Sequence, residues 1–169
     1  DWAEKEAAEE PYWQIEHADR LDAFTDLLYQ QTIGRLLDIG CGRGSLLRYA
    51  RLKGWQAQGI EPSRAMWTRA TQYGSVQHGM FPQVTVAPVS VDAVHAKLVL
   101  EHVANPRAFL HEVRAVLRPC GIVCVEVPND FNRLSDLADR VSAYLIAQDA
   151  ADLDIAWETW LEENAGALS

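Results

Sequence analysis

The sequence predicts a doubly wound α/β fold, in which a mostly parallel sheet is flanked by helices. Two observations lead to this prediction. An apolar strand at residues 36–39 runs into a glycine-rich turn, and a helical pattern follows at residues 45–53. Two further apolar runs, at residues 91–98 and 122–127, are separated by another helical stretch. Strands that alternate with helices favour parallel pairing, since each helix returns the chain to the same end of the sheet.

Length and composition limit the classes of function. A chain of 169 residues fits one domain. Its net charge of −9 gives it no general attraction for nucleic acid or an anionic membrane, so we expect neither as a partner. No signal peptide and no apolar run of about 18 residues is evident. The spacing of Cys41, Cys120 and Cys124 matches no disulfide framework, which indicates reduced thiols and a cytoplasmic location.

The glycine turn is the strongest functional signal. Gly40, Gly42 and Gly44 allow a tight turn, and we expect the helix that follows to present free backbone N–H groups there. Dinucleotide sites prefer G-x-G-x-x-G, whereas here the third glycine comes one residue early. Asp38 precedes the turn and would repel a pyrophosphate. A cationic ligand therefore suits the turn better, and a tight turn without a ligand is the alternative.

A second acidic residue is spaced as a ribose ligand would be. Glu61 follows the predicted strand at residues 56–60 and lies 23 positions after Asp38. Doubly wound folds place an acid here, because a carboxylate accepts hydrogen bonds from two neighbouring ribose hydroxyls. The alternative is a surface acid at the start of the next helix, which Pro62 and Ser63 open.

The predicted fourth strand, residues 91–98, leads into a segment that carries a candidate catalytic group. His102 lies just after the carboxyl end of that strand, where the crevice of such folds opens. A histidine there can accept a proton near neutral pH; the alternative is a loop residue without a proton role. We expect His95 to be packed or hydrogen-bonded inside the strand. The scattered histidines have no metal-binding spacing, so we expect no metal.

Two segments carry a family resemblance. Residues 37–44, Leu-Asp-Ile-Gly-Cys-Gly-Arg-Gly, resemble the first motif of class I S-adenosylmethionine-dependent methyltransferases. Residues 99–106 resemble the segment after the fourth strand in small-molecule members, including the quinone O-methyltransferase group. The resemblance covers about residues 12–132. It departs at Cys120, where members have the first glycine of Pro-Gly-Gly; a residue other than glycine strains this turn unless its φ is negative.

The resemblance implies a Rossmann-like methyltransferase that uses S-adenosylmethionine and acts on a small molecule, with oxygen favoured as the acceptor atom. A weak third strand at residues 74–80 would bring Met80 and Phe81 to the adenine ring. Two alternatives stay open: an NAD-dependent oxidoreductase, and a truncated or degenerate domain that binds without turnover. The cofactor residues implied are Asp38, Gly40, Cys41, Gly42, Gly44, Glu61, Pro62, Met80, Phe81, Leu98 and Val99.

The sequence divides into a helical segment at residues 1–34, a cofactor-binding core at 35–130 and a helical segment at 131–169. The first helix either packs on the core or covers the ligand. Only about five strands are evident, and the last two strands of the family order 3-2-1-4-5-7-6 are missing. A helical stripe is predicted after the fifth strand, with members Leu134, Leu137, Val141, Tyr144 and Leu145, and Trp157 and Trp160 follow it.

The missing strands would leave the fifth strand, residues 122–127, at an edge with unpaired backbone groups. Three arrangements would shield it. The natural protein continues beyond residue 169, the tail folds over the edge, or two copies meet there as a homodimer. We expect the tail to pack on the domain or on a partner copy.

Overall fold

The computed structural model describes residues 2–27, 34–127 and 141–146. These residues form four helices and six strands, and a long helix comes first. None of the described helices is long and apolar enough to cross a membrane. The elements are α1 (Trp2–Leu27), β1 (Arg35–Ile39), α2 (Ser45–Leu52), β2 (Gln56–Glu61), α3 (Arg64–Ala70), β3 (Ser75–His78), β4 (Val91–Lys97), a 3-10 turn (Leu100–His102), α4 (Pro106–Val116), β5 (Leu117–Val127) and β6 (Val141–Ile146).

The six strands form one sheet in the order β3-β2-β1-β4-β5-β6. The neighbouring pairs among β1 to β5 are parallel, and β6 runs antiparallel to β5. The doubly wound fold class is therefore confirmed. The direction of winding reverses between β1 and β4, and ligands of such folds bind in the crevice outside the carboxyl ends of the strands at that reversal.

Alternate residues of β1 face opposite layers of the core. Leu36 packs with Leu21 and Phe24 of α1, in the layer that α2 shares. Leu37 packs in the other layer, against α4. Because side chains alternate along a strand, Asp38 lies on the same face as Leu36, towards α1 and α2. The first helix thus belongs to the core, and it also reaches the face on which Asp38 lies.

The predicted helical stripe is wrong at Val141–Ile146, because this segment is the strand β6. It pairs with β5 in a register that runs from Val127 opposite Val141 to Ile122 opposite Ile146. The expectation that the tail packs on the domain is confirmed for this segment, although as a sixth strand and not as a helix, so β5 is an inner strand. The remaining members of the stripe and the two tryptophans, Leu134, Leu137, Trp157 and Trp160, lie outside the described residues.

The backbone of β5 is strained at one residue near the start of the strand. Cys120 has a φ of +61°, so the negative φ that would avoid strain is not adopted. A side chain in this left-handed region costs about 1–2 kcal/mol relative to ordinary backbone. The pairing of β4 with β5 also shifts register here, because Val91 is opposite Leu117 whereas Ala93 is opposite Ile122. The extra residues of β5 between these two pairs include Cys120. A glycine at this position would remove that strain.

Candidate active site

Each glycine of the turn between β1 and α2 has a separate steric role. A Cβ on Gly44 would lie 3.0 Å from the Cα atom of Ala70, so its absence lets the turn pack on α3. A Cβ on Gly40 would lie 2.6 Å from the side chain of Val99, in the segment after β4. A Cβ on Gly42 would meet no atom within 4 Å. Gly42 is therefore the position where the turn faces open space that a ligand can fill.

The backbone N–H groups of the turn are already used. Gly40 and Cys41 both donate to the carbonyl oxygen of Ile60, and Gly44 donates to that of Cys41. Gly42 donates to the Glu61 carboxylate at 2.8 Å. These four N–H groups therefore offer no donors for a pyrophosphate. The prediction of free N–H groups concerns the first turn of α2, which begins at Ser45, and it stays a prediction.

Glu61 ends β2 with its carboxylate turned back towards the glycine turn. Its Oε2 accepts from the Gly42 N–H, and its Oε1 accepts from the Ser63 N–H at 2.7 Å. The side chain is buried, and it holds the turn to the start of α3. Each carboxylate oxygen has a second lone pair, so the group can still accept from ligand hydroxyls.

Asp38 ends up almost fully buried, with 3% of its surface exposed. Its Oδ1 is 2.8 Å from Nδ1 of His95 on the neighbouring strand β4. Its Oδ2 has no hydrogen-bond partner among the residues that the structure describes. Together Asp38 and Glu61 make the turn a negative environment: burial and these two carboxylates raise the pKa of the Cys41 thiol, which stays protonated. Such a site favours a cation over a phosphate.

The other residues predicted for the cofactor fall into two groups. Met80 is 56% exposed and Leu98 is 44% exposed, so both offer apolar surface to a ligand. Pro62 is exposed as well, and its carbonyl oxygen is 3.1 Å from Nε2 of His78. Phe81 instead belongs to the core, where its ring packs edge-on against Phe109. That packing leaves Met80 as the more accessible apolar group of the two after β3.

His102 ends the 3-10 turn after β4, with its backbone N–H bonded to the carbonyl oxygen of Val99. Its side chain is exposed, and no carboxylate of the described residues orients the ring. Val99 touches the glycine turn at Gly40, which places His102 three residues from the turn contact. His102 is thus close in sequence to a residue that lines the crevice, and its exposed imidazole is accessible to a substrate.

A buried ionic cluster lies beside Asp38, on the face covered by α1. Glu126 of β5 is fully buried, and it receives hydrogen bonds from Arg20 of α1 and from Nε2 of His95, at 3.1 Å for the latter. Glu16 of α1 bonds Arg20 at 2.8 Å and Lys97 of β4 at 2.6 Å. The cluster therefore attaches α1 to the strands that carry the crevice.

The prediction that His95 is hydrogen-bonded inside the strand is confirmed. Burial would lower the pKa of His95, but the charge of Asp38 and the bonds to Asp38 and Glu126 raise it above its ordinary value. Burial would raise the pKa of Glu126, but the bonds from His95 and Arg20 hold it at about 2. Sequence reasoning missed Glu126 and Arg20, and the available signal was a charged residue within the apolar strand 122–127.

The cluster also contains the one group of potential metal ligands that the described residues bring together: His95, Cys124 and Glu126, with ligand atoms within 4.8 Å of one another. Both ring nitrogens of His95 face carboxylates, and Arg20 already neutralises Glu126. A metal ion here would have to displace these bonds and sit beside a guanidinium. The charges of the cluster are therefore already balanced by protein groups.

The comparisons with known proteins agree with this geometry. A family model described as "Methyltransferase domain" matches residues 12–167. The chain belongs to the class I S-adenosylmethionine-dependent methyltransferases. The match continues well past residue 132, where the resemblance in the sequence ends, and includes the segment of β6. S-adenosylmethionine is accordingly the cofactor of the family to which this methyltransferase belongs.

Among relatives, the methyltransferase is 34% identical over 101 residues to "Ubiquinone biosynthesis O-methyltransferase" from Rhodopseudomonas palustris (strain TIE-1), covering 56% of this chain and 40% of that protein. It is 28% identical over 105 residues to "Malonyl-[acyl-carrier protein] O-methyltransferase" from Salmonella typhimurium, covering 60% and 42%. The chain therefore spans about 40% of the length of these relatives.

Solved structures support the fold. The plantazolicin methyltransferase BpumL in complex with SAH is similar with a TM-score of 0.63 and 20% identity, over 75% of this chain and 51% of that one. A SAM-dependent methyltransferase from Archaeoglobus fulgidus is similar with a TM-score of 0.59 and 21% identity, over 73% and 58%. At such identities the likeness shows a shared fold.

Proposed function

We propose that the chain transfers a methyl group from S-adenosylmethionine to a small-molecule acceptor, with oxygen as the accepting atom. The observation that carries the proposal is the glycine turn flanked by two buried carboxylates, with the N–H groups of Gly40, Cys41, Gly42 and Gly44 already bonded. This arrangement suits a positively charged cofactor. It does not suit NAD, whose pyrophosphate needs unbonded donors.

In the proposed site, Glu61 accepts hydrogen bonds from the ribose hydroxyls and Asp38 uses Oδ2 to bind the amino group of the cofactor. Gly42 leaves the space for close approach, and Met80, Leu98 and Val99 provide apolar walls. The cofactor supplies an activated methyl group that a nucleophile can displace. The protein then has to hold donor and acceptor in line and exclude water.

His102 is proposed as the general base that takes the proton of an acceptor hydroxyl. Support comes from its exposure and from its position after β4, three residues beyond the contact with the glycine turn. The preference for oxygen rests on the printed names of the relatives, which are both O-methyltransferases. The preference for a small molecule over nucleic acid rests on the net charge of −9.

The test is incubation of the full chain with S-adenosylmethionine carrying a labelled methyl group and a panel of phenols, carboxylic acids and amines. The proposal expects labelled product with an oxygen acceptor. A protein that binds the cofactor and labels no member of the panel would favour the alternative of a binding domain without turnover.

The role of His102 has its own control. We expect His102→Ala to lower turnover at saturating cofactor by about 10²–10⁴-fold, the range for a lost general base, with cofactor affinity unchanged. His111→Ala removes another exposed histidine, on α4, and should leave turnover unchanged. If cofactor affinity falls together with turnover, His102 belongs to the cofactor site instead.

A further inference from the structure

A continuous path of buried ionic hydrogen bonds connects α1 to the acid of the glycine turn. It runs from Arg20 to Glu126, from Glu126 to His95, and from His95 to Asp38. Arg20 and Glu126 lie 106 positions apart in the sequence. The path therefore gives α1 an indirect hold on the orientation of Asp38.

His95 is the link with the strictest geometric requirement. Its Nδ1 is 2.8 Å from Asp38 and its Nε2 is 3.1 Å from Glu126. Ionised carboxylates only accept hydrogen bonds, so both contacts are hydrogen bonds only when both ring nitrogens carry a proton. A neutral ring would place a lone pair against one of the two carboxylates, and that carboxylate would have to turn away.

We propose that His95 is a positioning residue for Asp38, and that its doubly protonated ring fixes Asp38 with Oδ2 directed to the cofactor. This inference rests on the proposed function, because the role of Oδ2 depends on S-adenosylmethionine as the ligand. It concerns a residue that makes no proposed contact with the cofactor. His95 acts through Asp38 alone, while Glu126 and Arg20 hold its other side.

The surroundings of the cluster favour a charged His95 ring. The charged groups are Asp38 of β1, Glu126 of β5, Lys97 of β4, and Glu16 and Arg20 of α1. Three carboxylates are thus balanced by three cations when His95 is charged. His17 also lies close, and burial lowers its pKa to about 4. The Cys124 thiol lies beside His95.

The experiment is calorimetric titration of the full chain with S-adenosylhomocysteine, a stable cofactor analogue, from about pH 6 to a pH above the point at which nitrogen NMR shows that His95 loses a proton. In the wild type, affinity should fall as pH rises through the pKa of His95, because the ring then loses one of its donors. In His95→Gln, the amide offers donors from one end only, so affinity should be roughly tenfold weaker at low pH and nearly independent of pH.

Two variants separate positioning from general damage. In the double variant His95→Gln with Glu126→Gln, the amide nitrogen at position 126 can donate to the amide oxygen at position 95. The amide nitrogen at position 95 can then donate to Asp38, so part of the lost affinity should return. His111→Gln is the matched control on the exposed face of α4, and it should titrate like the wild type. Urea unfolding of each variant checks that it is folded at the temperature of the titration.

Nitrogen NMR of the cofactor-free protein gives an independent result, and should show His95 with two protonated ring nitrogens at pH 7. A neutral ring would overturn the proposal. So would His95→Gln that binds as tightly as, or more tightly than, the wild type, since the charge of His95 would then merely compete with the cofactor. A wild type that fails to bind the analogue overturns the proposed function as well, whereas normal binding with an unaffected variant overturns only the role of His95.

Discussion

The two halves of the crevice are built by opposite means. On the β1–β2 side, backbone hydrogen bonds hold the glycine turn in place. Gly40 and Gly44 have no side chain, and this allows the turn to pack closely against its neighbours. On the β4–β5 side, the structure is held by buried charges that Arg20, His95 and Glu126 bring together from three elements. Added side-chain atoms should therefore destabilise the β1–β2 side. Loss of a charge that neutralises another should destabilise the β4–β5 side.

The largest effect is expected on the charged side. Arg20→Met leaves Glu126 fully buried with His95 as its remaining partner, and it should lower the free energy of unfolding by about 3–5 kcal/mol. Arg64→Met, at an exposed arginine of α3, should change it by less than about 0.5 kcal/mol. Urea unfolding measures both. If Arg20→Met lowers the free energy of unfolding as little as Arg64→Met does, the cluster contributes little to stability.

An intermediate effect is expected on the glycine side. Gly44→Ala places a Cβ in a left-handed residue and 3.0 Å from the Cα atom of Ala70, so it should destabilise by about 2–4 kcal/mol. Gly42→Ala carries the strain without the clash and should destabilise by about 1–2 kcal/mol. Its methyl group enters the open space, so it should weaken binding of S-adenosylhomocysteine. Equal destabilisation by the two substitutions would refute the separate steric roles.

The smallest effect is expected near the start of β5, at the end of the strand away from the crevice. Cys120→Gly removes a side chain from a residue with φ of +61° and should stabilise the protein by about 1 kcal/mol. Thermal unfolding should show a raised melting temperature with unchanged cofactor affinity. A lowered melting temperature would show that contacts of the Cys120 side chain outweigh the backbone strain.

The same division explains what the sequence could predict. The strands, the glycine turn and the spacing of Glu61 follow from local patterns, and the structure brings Glu61 to Gly42. The bonded state of the turn could not be predicted, because the donors of Gly40 and Cys41 end at Ile60, on a different strand. The cluster of Arg20 and Glu126 depends on how α1 packs over β5, which no local pattern specifies.

The error at β6 has a related cause. Val141, Tyr144 and Leu145 fit a helical stripe at steps of three and four residues, so the periodicity favoured a helix. Tertiary pairing decided otherwise, since the inner position of β5 satisfies its backbone groups through β6. Short apolar segments of this kind take the structure that a neighbouring strand offers.

Calorimetric titration with S-adenosylhomocysteine and with NAD measures directly whether the glycine turn with Asp38 and Glu61 is a site for S-adenosylmethionine. We predict saturable binding of S-adenosylhomocysteine, no comparable binding of NAD, and an affinity about tenfold lower in Glu61→Gln because charge-assisted hydrogen bonds to the ribose are lost. Tight binding of NAD with none of S-adenosylhomocysteine would contradict the account.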